Sequence, residues 1–179
     1  MAGRARRTGR ACHGGGNTHM IAVGWVLLLG VMLWFFTAWA DREANPNRNL
    51  KATASAEVVL ARSRDGHYYA DGEINGRRVK FMLDTGATQI ALPRALSNEL
   101  GLKLGPAITL QTAAGPANGY PVRLASVRMG GIEIADLGAV VAEGMSSDTV
   151  LLGMNFLRRL EMVQRGEQMT LRPLGAGGG

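Results

Sequence analysis

The segment from Met20 to Ala40 restricts the fold of this chain more than any other, because it contains no charged residue. At about 1.5 Å per residue, a helix of this length spans about 30 Å, the thickness of a bilayer core. The segment is apolar on every face, which favours lipid over the core of a soluble domain as its surroundings. The pattern therefore predicts a transmembrane anchor over residues 20–40.

Charges on the two sides of this segment predict its orientation. The first ten residues carry Arg4, Arg6, Arg7 and Arg10, and no acidic residue occurs before Asp41. The positive-inside rule then makes residues 1–19 a basic cytoplasmic tail and exports the rest of the chain. Because these arginines account for most of the formal net charge of +6, we expect no nucleic-acid partner.

A cleaved signal peptide is the alternative interpretation of the same segment. Ala38-Trp39-Ala40 fits the small-x-small pattern of a cleavage site. The apolar run is longer than the usual apolar core of a signal peptide, which favours a retained anchor. Both interpretations export the domain that follows.

The exported part divides by composition. Residues 41–55 are polar and contain proline, which predicts a linker. Residues 56–173 form the folded domain, and the glycine-rich end at 174–179 is expected to be disordered. The domain consists of short β-rich runs separated by turn signals, with a short helix beginning at Pro93. This pattern predicts a mainly β fold, either a closed barrel or a sandwich.

Local signals place several strands within the domain. Asn75-Gly76 lies between two β-rich runs and predicts a tight hairpin. Separate strands are predicted at 132–134 and 137–142, and the glycine-rich stretch 114–119 is predicted to be a loop. The terminal strand at 168–172 could pair within its own chain or with a second copy.

Metal and cofactor chemistry find no support in the sequence. Cys12 is the single cysteine and lies in the basic tail, so neither an internal disulfide nor a cysteine-based zinc site is expected. His13, His19 and His67 lack metal-ligand spacing. We expect no metal and no cofactor. A serine, cysteine or metal-dependent hydrolase is equally disfavoured, since the domain has no suitable set containing histidine.

An acidic residue in an apolar setting is the strongest chemical signal. Asp84 lies between apolar runs in the stretch VKFMLDTGATQIALP, from Val79 to Pro93. A carboxylate beside so much hydrocarbon is costly unless it is hydrogen-bonded, paired or used. Gly86 permits a tight turn, and the Thr85 hydroxyl can brace it. Taken alone, Asp-Thr-Gly after a strand is an ordinary turn in which the aspartate caps backbone amides.

A second motif changes that interpretation. Residues 149–157, TVLLGMNFL, form an apolar strand that ends at Gly153 and leads into a helix. The pair of motifs, Asp84-Thr85-Gly86-Ala87-Thr88 and Leu151-Leu152-Gly153, resembles the retropepsin-like aspartic proteases of clan AA. With the N-terminal apolar segment, the whole arrangement is most similar to the membrane-anchored bacterial members of that family.

The resemblance implies a closed acid-protease barrel in which each chain supplies half of an active site. Asp84 would be the catalytic acid/base, and Thr85 would brace the two loops across a dimer axis. Gly86, Ala87 and Thr88 would shape the loop, while Leu151, Leu152 and Gly153 would pack beneath it. A β-hairpin over residues 112–121 would be the flap that closes over substrate, with Ala114, Gly115, Gly119 and Tyr120 as its candidate residues. For Tyr120 we prefer packing to substrate contact.

The implied activity is that of an aspartic endopeptidase acting on an extended peptide or protein. Such chemistry needs two facing carboxylates that share a proton. The chain has one Asp-Thr-Gly, so the second carboxylate must come from another copy, which predicts a homodimer. The resemblance places the protein in the bacterial inner membrane as a single-pass protein, with its protease domain in the periplasm.

Two other function classes stay open. A non-catalytic exported β domain of the same fold could bind extended peptides by strand addition. A structural, membrane-tethered partner of a larger assembly would need neither Asp84 nor a dimer. The chain also departs from many retroviral proteases: Thr88-Gln89 and Met154-Asn155 stand where an acid and an arginine form an ion pair that supports dimerisation.

Overall fold

The computed structural model describes residues 16–48, 50, 56–112, 115–145 and 148–175. Most of the predicted basic tail, part of the predicted linker, the flap residue Ala114 and the last four residues lie outside the described residues. The chain separates into two compact units, Met1–Ala40 and Asp41–Gly179.

The apolar segment lies in helix α1 (Gly16–Ala44). Within the described part of the chain, Met20–Ala40 is the one helical stretch long and apolar enough to cross a membrane. Its large apolar side chains are exposed rather than packed in a core. Length and composition fit an anchor and a signal sequence alike.

The second unit is mainly β, as predicted. Its strands are β1 (Val58–Ala61), β2 (Tyr69–Ile74), β3 (Arg77–Leu83), β4 (Ile90–Pro93), β5 (Ile108–Thr112), β6 (Gly115–Met129), β7 (Ile132–Ala142), β8 (Thr149–Leu152), β9 (Leu160–Arg165) and β10 (Gln168–Pro173). Two short helices accompany them, α2 (Arg94–Glu99) and α3 (Met154–Leu157).

Six strands close into a barrel in the order β2-β3-β8-β4-β7-β6, with β5 added at the outer side of β6. The barrel closes where β2 pairs with β6, at Glu73↔Arg128 and Ile74↔Val127. Gly72 makes this closure possible, because a Cβ there would meet the Arg128 carbonyl oxygen and lie 2.5 Å from the Phe81 ring. The predicted closed barrel is confirmed.

The barrel core follows from the alternation of side chains along the strands. Fully buried residues come from most of the barrel strands and from α3; the largest are Phe81, Phe156, Ile74, Ile90, Leu92, Leu124, Met129, Ile132, Leu152 and Leu157. The predicted Asn75-Gly76 turn joins β2 to β3, with φ of 51° and 78° at the two residues. These values fit the type I′ turn that the dipeptide favours.

Two local predictions were wrong. The glycine-rich stretch is strand from Gly115 onward, because β5 pairs with it. Strand β7 is continuous through Asp136, where we predicted a break. Asp136 has a φ of 56°, and Arg123 on β6 donates to its carboxylate through two nitrogens. The ladder therefore continues past a residue with left-handed backbone instead of ending there.

A separate sheet has the order β1-β10-β9. Strand β10 is its central strand and pairs on both sides within its own chain, which decides between the two pairings left open by the sequence. Buried Leu60, Met169 and Leu171 join this sheet to the core.

The segment Asn45–Asn47, predicted as linker, is part of the barrel unit. We call it the N-terminal clip. Asn45 and Asn47 are only 4% and 8% exposed. The Asn47 side-chain amide donates to the carbonyl oxygens of Ala61 (2.9 Å) and Tyr69 (2.7 Å), and its Oδ1 accepts from the Ala61 N–H (2.8 Å). The Asn45 amide donates to Asp71 (2.6 Å). The clip thereby joins the end of β1 to β2.

Replacement of Asn47 by alanine is expected to lower the free energy of unfolding by about 2 kcal/mol, because it removes three part-buried hydrogen bonds to the backbone of Ala61 and Tyr69. Hydrogen exchange of the full chain in detergent would detect this as faster exchange of the Ala61 amide. Asn98→Ala, at an exposed position of α2, is the matched control. Equal exchange in both variants would contradict a stabilising role for the clip.

Candidate functional site

Asp84 lies where two parallel strands end side by side. Strand β3 pairs with β8 in parallel, up to Leu83↔Leu152. The Asp84 N–H continues this ladder by donating to the Leu152 carbonyl oxygen (3.2 Å). Parallel strands carry their carboxyl ends to one edge of a sheet, so the two sequence motifs meet there. The sequence predicted this meeting from the family resemblance.

The loop after Asp84 is a tight turn held by its own backbone. The Gly86 N–H donates to Asp84 Oδ1 (2.8 Å), and the Ala87 N–H donates to the Asp84 carbonyl oxygen (3.3 Å). Asp84 and Ala87 are half-buried, while Thr85, Gly86 and Thr88 are exposed. An ordinary capping turn has the same carboxylate bond. The surroundings of the loop must therefore separate the two interpretations.

The second motif fixes this loop from below. A Cβ at Gly153 would lie 2.6 Å from the Gln89 carbonyl carbon and 2.8 Å from the Ala87 carbonyl oxygen. Its φ of −83° is open to any residue, so glycine is required by the close approach of two backbones. The Met154 N–H donates to the Ala87 oxygen (2.8 Å). Leu152 is fully buried, and Leu151 is half-buried. All three residues predicted to pack beneath the loop lie on β8 or directly after it.

Asn155 joins the Asp84 loop to strands β4 and β7. The sequence did not predict this role. Its amide nitrogen donates to the Gly138 carbonyl oxygen of β7 (2.6 Å). Its Oδ1 accepts the N–H of Ile90, the first residue of β4 (3.0 Å). Its own N–H donates to the Thr88 oxygen (3.1 Å). An amide side chain can donate and accept at once, which is how one residue joins the loop and two strands.

The predicted flap corresponds to the β5–β6 hairpin, whose register includes Thr112↔Gly115 and Ile108↔Gly119. Gly115 lies beside the tip and has a φ of 110°. Gly119 lies in the ladder instead of the tip, where a Cβ would come within 2.7 Å of the Leu110 side chain. Tyr120 is half-buried and packs against the core.

Tyr120 also belongs to a polar cluster that the sequence did not reveal. Its hydroxyl donates to Glu143 Oε1 (2.7 Å), and the Asn118 amide donates to Oε2 of the same carboxylate (3.1 Å). The bond to Glu143 raises the pKa of Tyr120, and the bonds from Tyr120 and Asn118 lower the pKa of Glu143. The Arg94 guanidinium lies 4.9 Å from the centre of the Tyr120 ring.

Four other aspartates of the barrel unit are bonded to groups outside the Asp84 loop. Asp65 accepts from Tyr69, Asp71 from Asn45, Asp136 from Arg123 and Asp148 from Thr149. Among the residues with described structure, no group of three or more His, Cys, Asp or Glu side chains could hold a metal ion. Asp84 is thus the aspartate that the described residues place at this edge of the barrel.

Comparisons with known proteins agree with this geometry. The family model described as "gag-polyprotein putative aspartyl protease" matches residues 70–159, from β2 to just beyond α3. A solved retropepsin-like aspartic protease from Rickettsia conorii is 34% identical, with a TM-score of 0.54, over 64% of this chain and 87% of that chain.

Two curated relatives have no described activity. An uncharacterized protein from the region 5′ of cobV in Sinorhizobium sp is 38% identical over 120 residues, 65% of this chain and 52% of that protein. An uncharacterized protein of Rickettsia prowazekii is 38% identical over 113 residues, 62% of this chain and 48% of that protein. The chain spans about half the length of these relatives. The barrel, the two adjoining motifs and the family match together show that the chain belongs to the retropepsin-like aspartic protease family.

Proposed function

We propose that this protein is an aspartic endopeptidase in which Asp84 is the catalytic acid/base. The observation that carries the proposal is the position of Asp84. This residue is half-buried, and Gly153 and Asn155 contact its loop from below. An ordinary surface turn needs no such support. A catalytic carboxylate does, because small displacements of a reacting group lower its rate strongly.

The mechanism requires two copies of Asp84, one from each subunit of a homodimer. Two carboxylates close together cannot both ionise, so they share one proton. The ionised aspartate takes a proton from a water molecule, whose oxygen attacks the carbonyl carbon of the scissile peptide bond, while the protonated aspartate donates its proton to the carbonyl oxygen. The tetrahedral intermediate then breaks its C–N bond: the amine leaves with the proton that came from water, and a hydroxyl of the intermediate returns a proton to the second aspartate. The pair titrates as a unit.

The chain's own contacts support the homodimer and limit its geometry. Four aspartates of the unit, Asp65, Asp71, Asp136 and Asp148, are already bonded elsewhere, which favours a second copy as the source of a facing carboxylate. The exposed Thr85 is available to brace the partner's loop. Both sides of β10 are filled, so an intersubunit sheet would use the outer edge of β1 or of β9.

The proposed setting is the bacterial inner membrane, with residues 1–19 in the cytoplasm and the protease domain in the periplasm. The support is the exposed apolar helix and the arginines that precede its span. Anchoring would confine the subunits to one surface and favour their pairing.

The experiment that tests the activity uses the full chain in detergent micelles and a peptide library, at acidic and neutral pH. We expect cleavage within extended peptides, read by mass spectrometry, and its suppression by a pepstatin-type inhibitor. Cleavage that resists the inhibitor but stops with a serine, cysteine or metal-directed reagent would contradict the proposal.

A second candidate function is supported by the exposed edge of the β5 strand. Among the described strands, β5 pairs with β6 alone, and Ile108 on it is 42% exposed. Such an edge can add an extended peptide as a further strand. A binding module would hold library peptides without cutting them and would keep that affinity when Asp84 is replaced.

A further inference from the structure

The β5–β6 hairpin leaves the barrel sheet at one residue, Gly119. From Met129 to Gly119, β6 pairs with β7. From Gly119 to Gly115, it pairs with β5. Gly119 itself pairs with Ala142 on one side and Ile108 on the other. Any movement of the hairpin against the barrel must therefore bend the chain at this position.

Glu143, the residue directly after β7, is hydrogen-bonded to β6 on both sides of Gly119. Its N–H donates to the Asn118 carbonyl oxygen (2.9 Å). One carboxylate oxygen accepts from the Asn118 amide (3.1 Å) and the other from the Tyr120 hydroxyl (2.7 Å). Residues 118 and 120 lie on the same face of the strand, so a single carboxylate spans the bending point.

Side chains also pack closely around Gly119 and Tyr120. A Cβ at Gly119 would lie 2.7 Å from the Leu110 side chain and 2.9 Å from that of Val140. On the other side, Arg94 stacks on the Tyr120 ring. Arg94 begins α2 directly after β4, the strand that follows the Asp84 loop.

We propose that Glu143 is a positioning residue that fixes the hinge of the β5–β6 hairpin through Asn118 and Tyr120, and so sets how tightly an extended peptide is held. The inference rests on the proposed function for its effect on substrate. Glu143 touches no reacting atom. Because Gly153 and Asn155 hold the Asp84 loop separately, loss of Glu143 should weaken peptide binding and leave the chemical step almost unchanged.

The test compares the full chain with its Glu143→Ala variant in detergent micelles. We expect amide exchange in 108–112 and 115–118 to become about 10-fold faster, because charge-assisted bonds at the hinge are lost. We expect KM for a cleaved peptide to rise about 5-fold, with kcat within about 2-fold of wild type. Glu143→Gln keeps an acceptor for Tyr120 and should recover part of the protection.

Glu133→Ala is the matched control. Glu133 lies on β7 at the opposite end of the same β6–β7 ladder, where Arg128 binds its carboxylate (3.1 Å). This variant should change neither the exchange of the hairpin nor KM. Unchanged exchange in Glu143→Ala would overturn the proposed hinge, and faster exchange with an unchanged KM would overturn its role in holding substrate. If the wild-type chain cleaves no peptide, the proposed function fails on its own, while the exchange comparison still decides the hinge.

Discussion

Replacement of Asp84 by asparagine is expected to lower kcat/KM for peptide cleavage by at least about 10³-fold, since an amide can neither hold the shared proton nor activate water. Asparagine has nearly the same shape as aspartate, and its Oδ1 can still accept the Gly86 N–H bond that forms the loop. The loss should therefore come without unfolding. Initial rates with a cleaved peptide measure the loss of activity. Hydrogen exchange of β3 and β8 shows whether the fold is kept.

Asp65→Asn is the matched control for this substitution. Asp65 is an exposed aspartate in the β1–β2 loop, bonded to the His67 N–H and the Tyr69 hydroxyl. The control should keep full activity. An Asp84→Asn enzyme that retained a tenth or more of wild-type activity would rule out Asp84 as the catalytic acid/base.

Mixing wild-type and Asp84→Asn subunits tests whether the active site needs two copies of Asp84 in a homodimer. When equal amounts of wild-type and Asp84→Asn subunits exchange at random, about a quarter of the dimers carry two copies of Asp84. Activity should then fall to about half of its value before mixing. Activity that does not change while subunits exchange would mean that one chain supplies the whole site.

Gly153→Ala is expected to have the second large effect, on stability and activity together. The new Cβ would lie 2.6 Å from the Gln89 carbonyl carbon and 2.8 Å from the Ala87 carbonyl oxygen. These are backbone atoms, which cannot rotate away, so the Asp84 loop itself must move. We expect the free energy of unfolding to fall by about 3 kcal/mol. A displacement of the loop by about 1 Å should lower kcat/KM about 10²-fold.

The chain offers a matched glycine for comparison. Gly138 lies on β7 near the same loop, but the nearest atom to a Cβ there is Gln89 Oε1 at 3.9 Å. Gly138→Ala should leave the free energy of unfolding within about 1 kcal/mol of wild type. Urea unfolding of both variants makes the measurement, and equal losses would show that the close backbone approach at Gly153 is unimportant.

Features encoded by neighbouring residues could be predicted from the sequence. The Asn75-Gly76 turn has the backbone preference that its hairpin requires, and the β-rich run that follows it forms β3. The meeting of Asp84 with Gly153 needed more than local pattern. It came from a family resemblance, because no periodicity indicates that β3 and β8 lie side by side in parallel.

Polar contacts between residues far apart in the chain could not be predicted, because local sequence patterns do not show which segments lie together. Asn47 looked like part of a linker because its partners, Ala61 and Tyr69, follow much later in the chain. Nothing in the sequence near Glu143 indicates its bonds to Asn118 and Tyr120. Glycine and proline weaken strand propensity, and pairing with β5 overrode that weakness in residues 115–119.

The N-terminal clip has a consequence for how the domain would be released if helix α1 anchors it in a membrane, as proposed. Cleavage after Ala40 would leave a new N-terminus just ahead of Asn45, and every hydrogen bond of the clip would survive. A cut within residues 48–55 would instead remove the asparagines that join β1 to β2. The position of a single proteolytic cut thus separates a released protein that keeps the clip from one that has lost the bonds between β1 and β2.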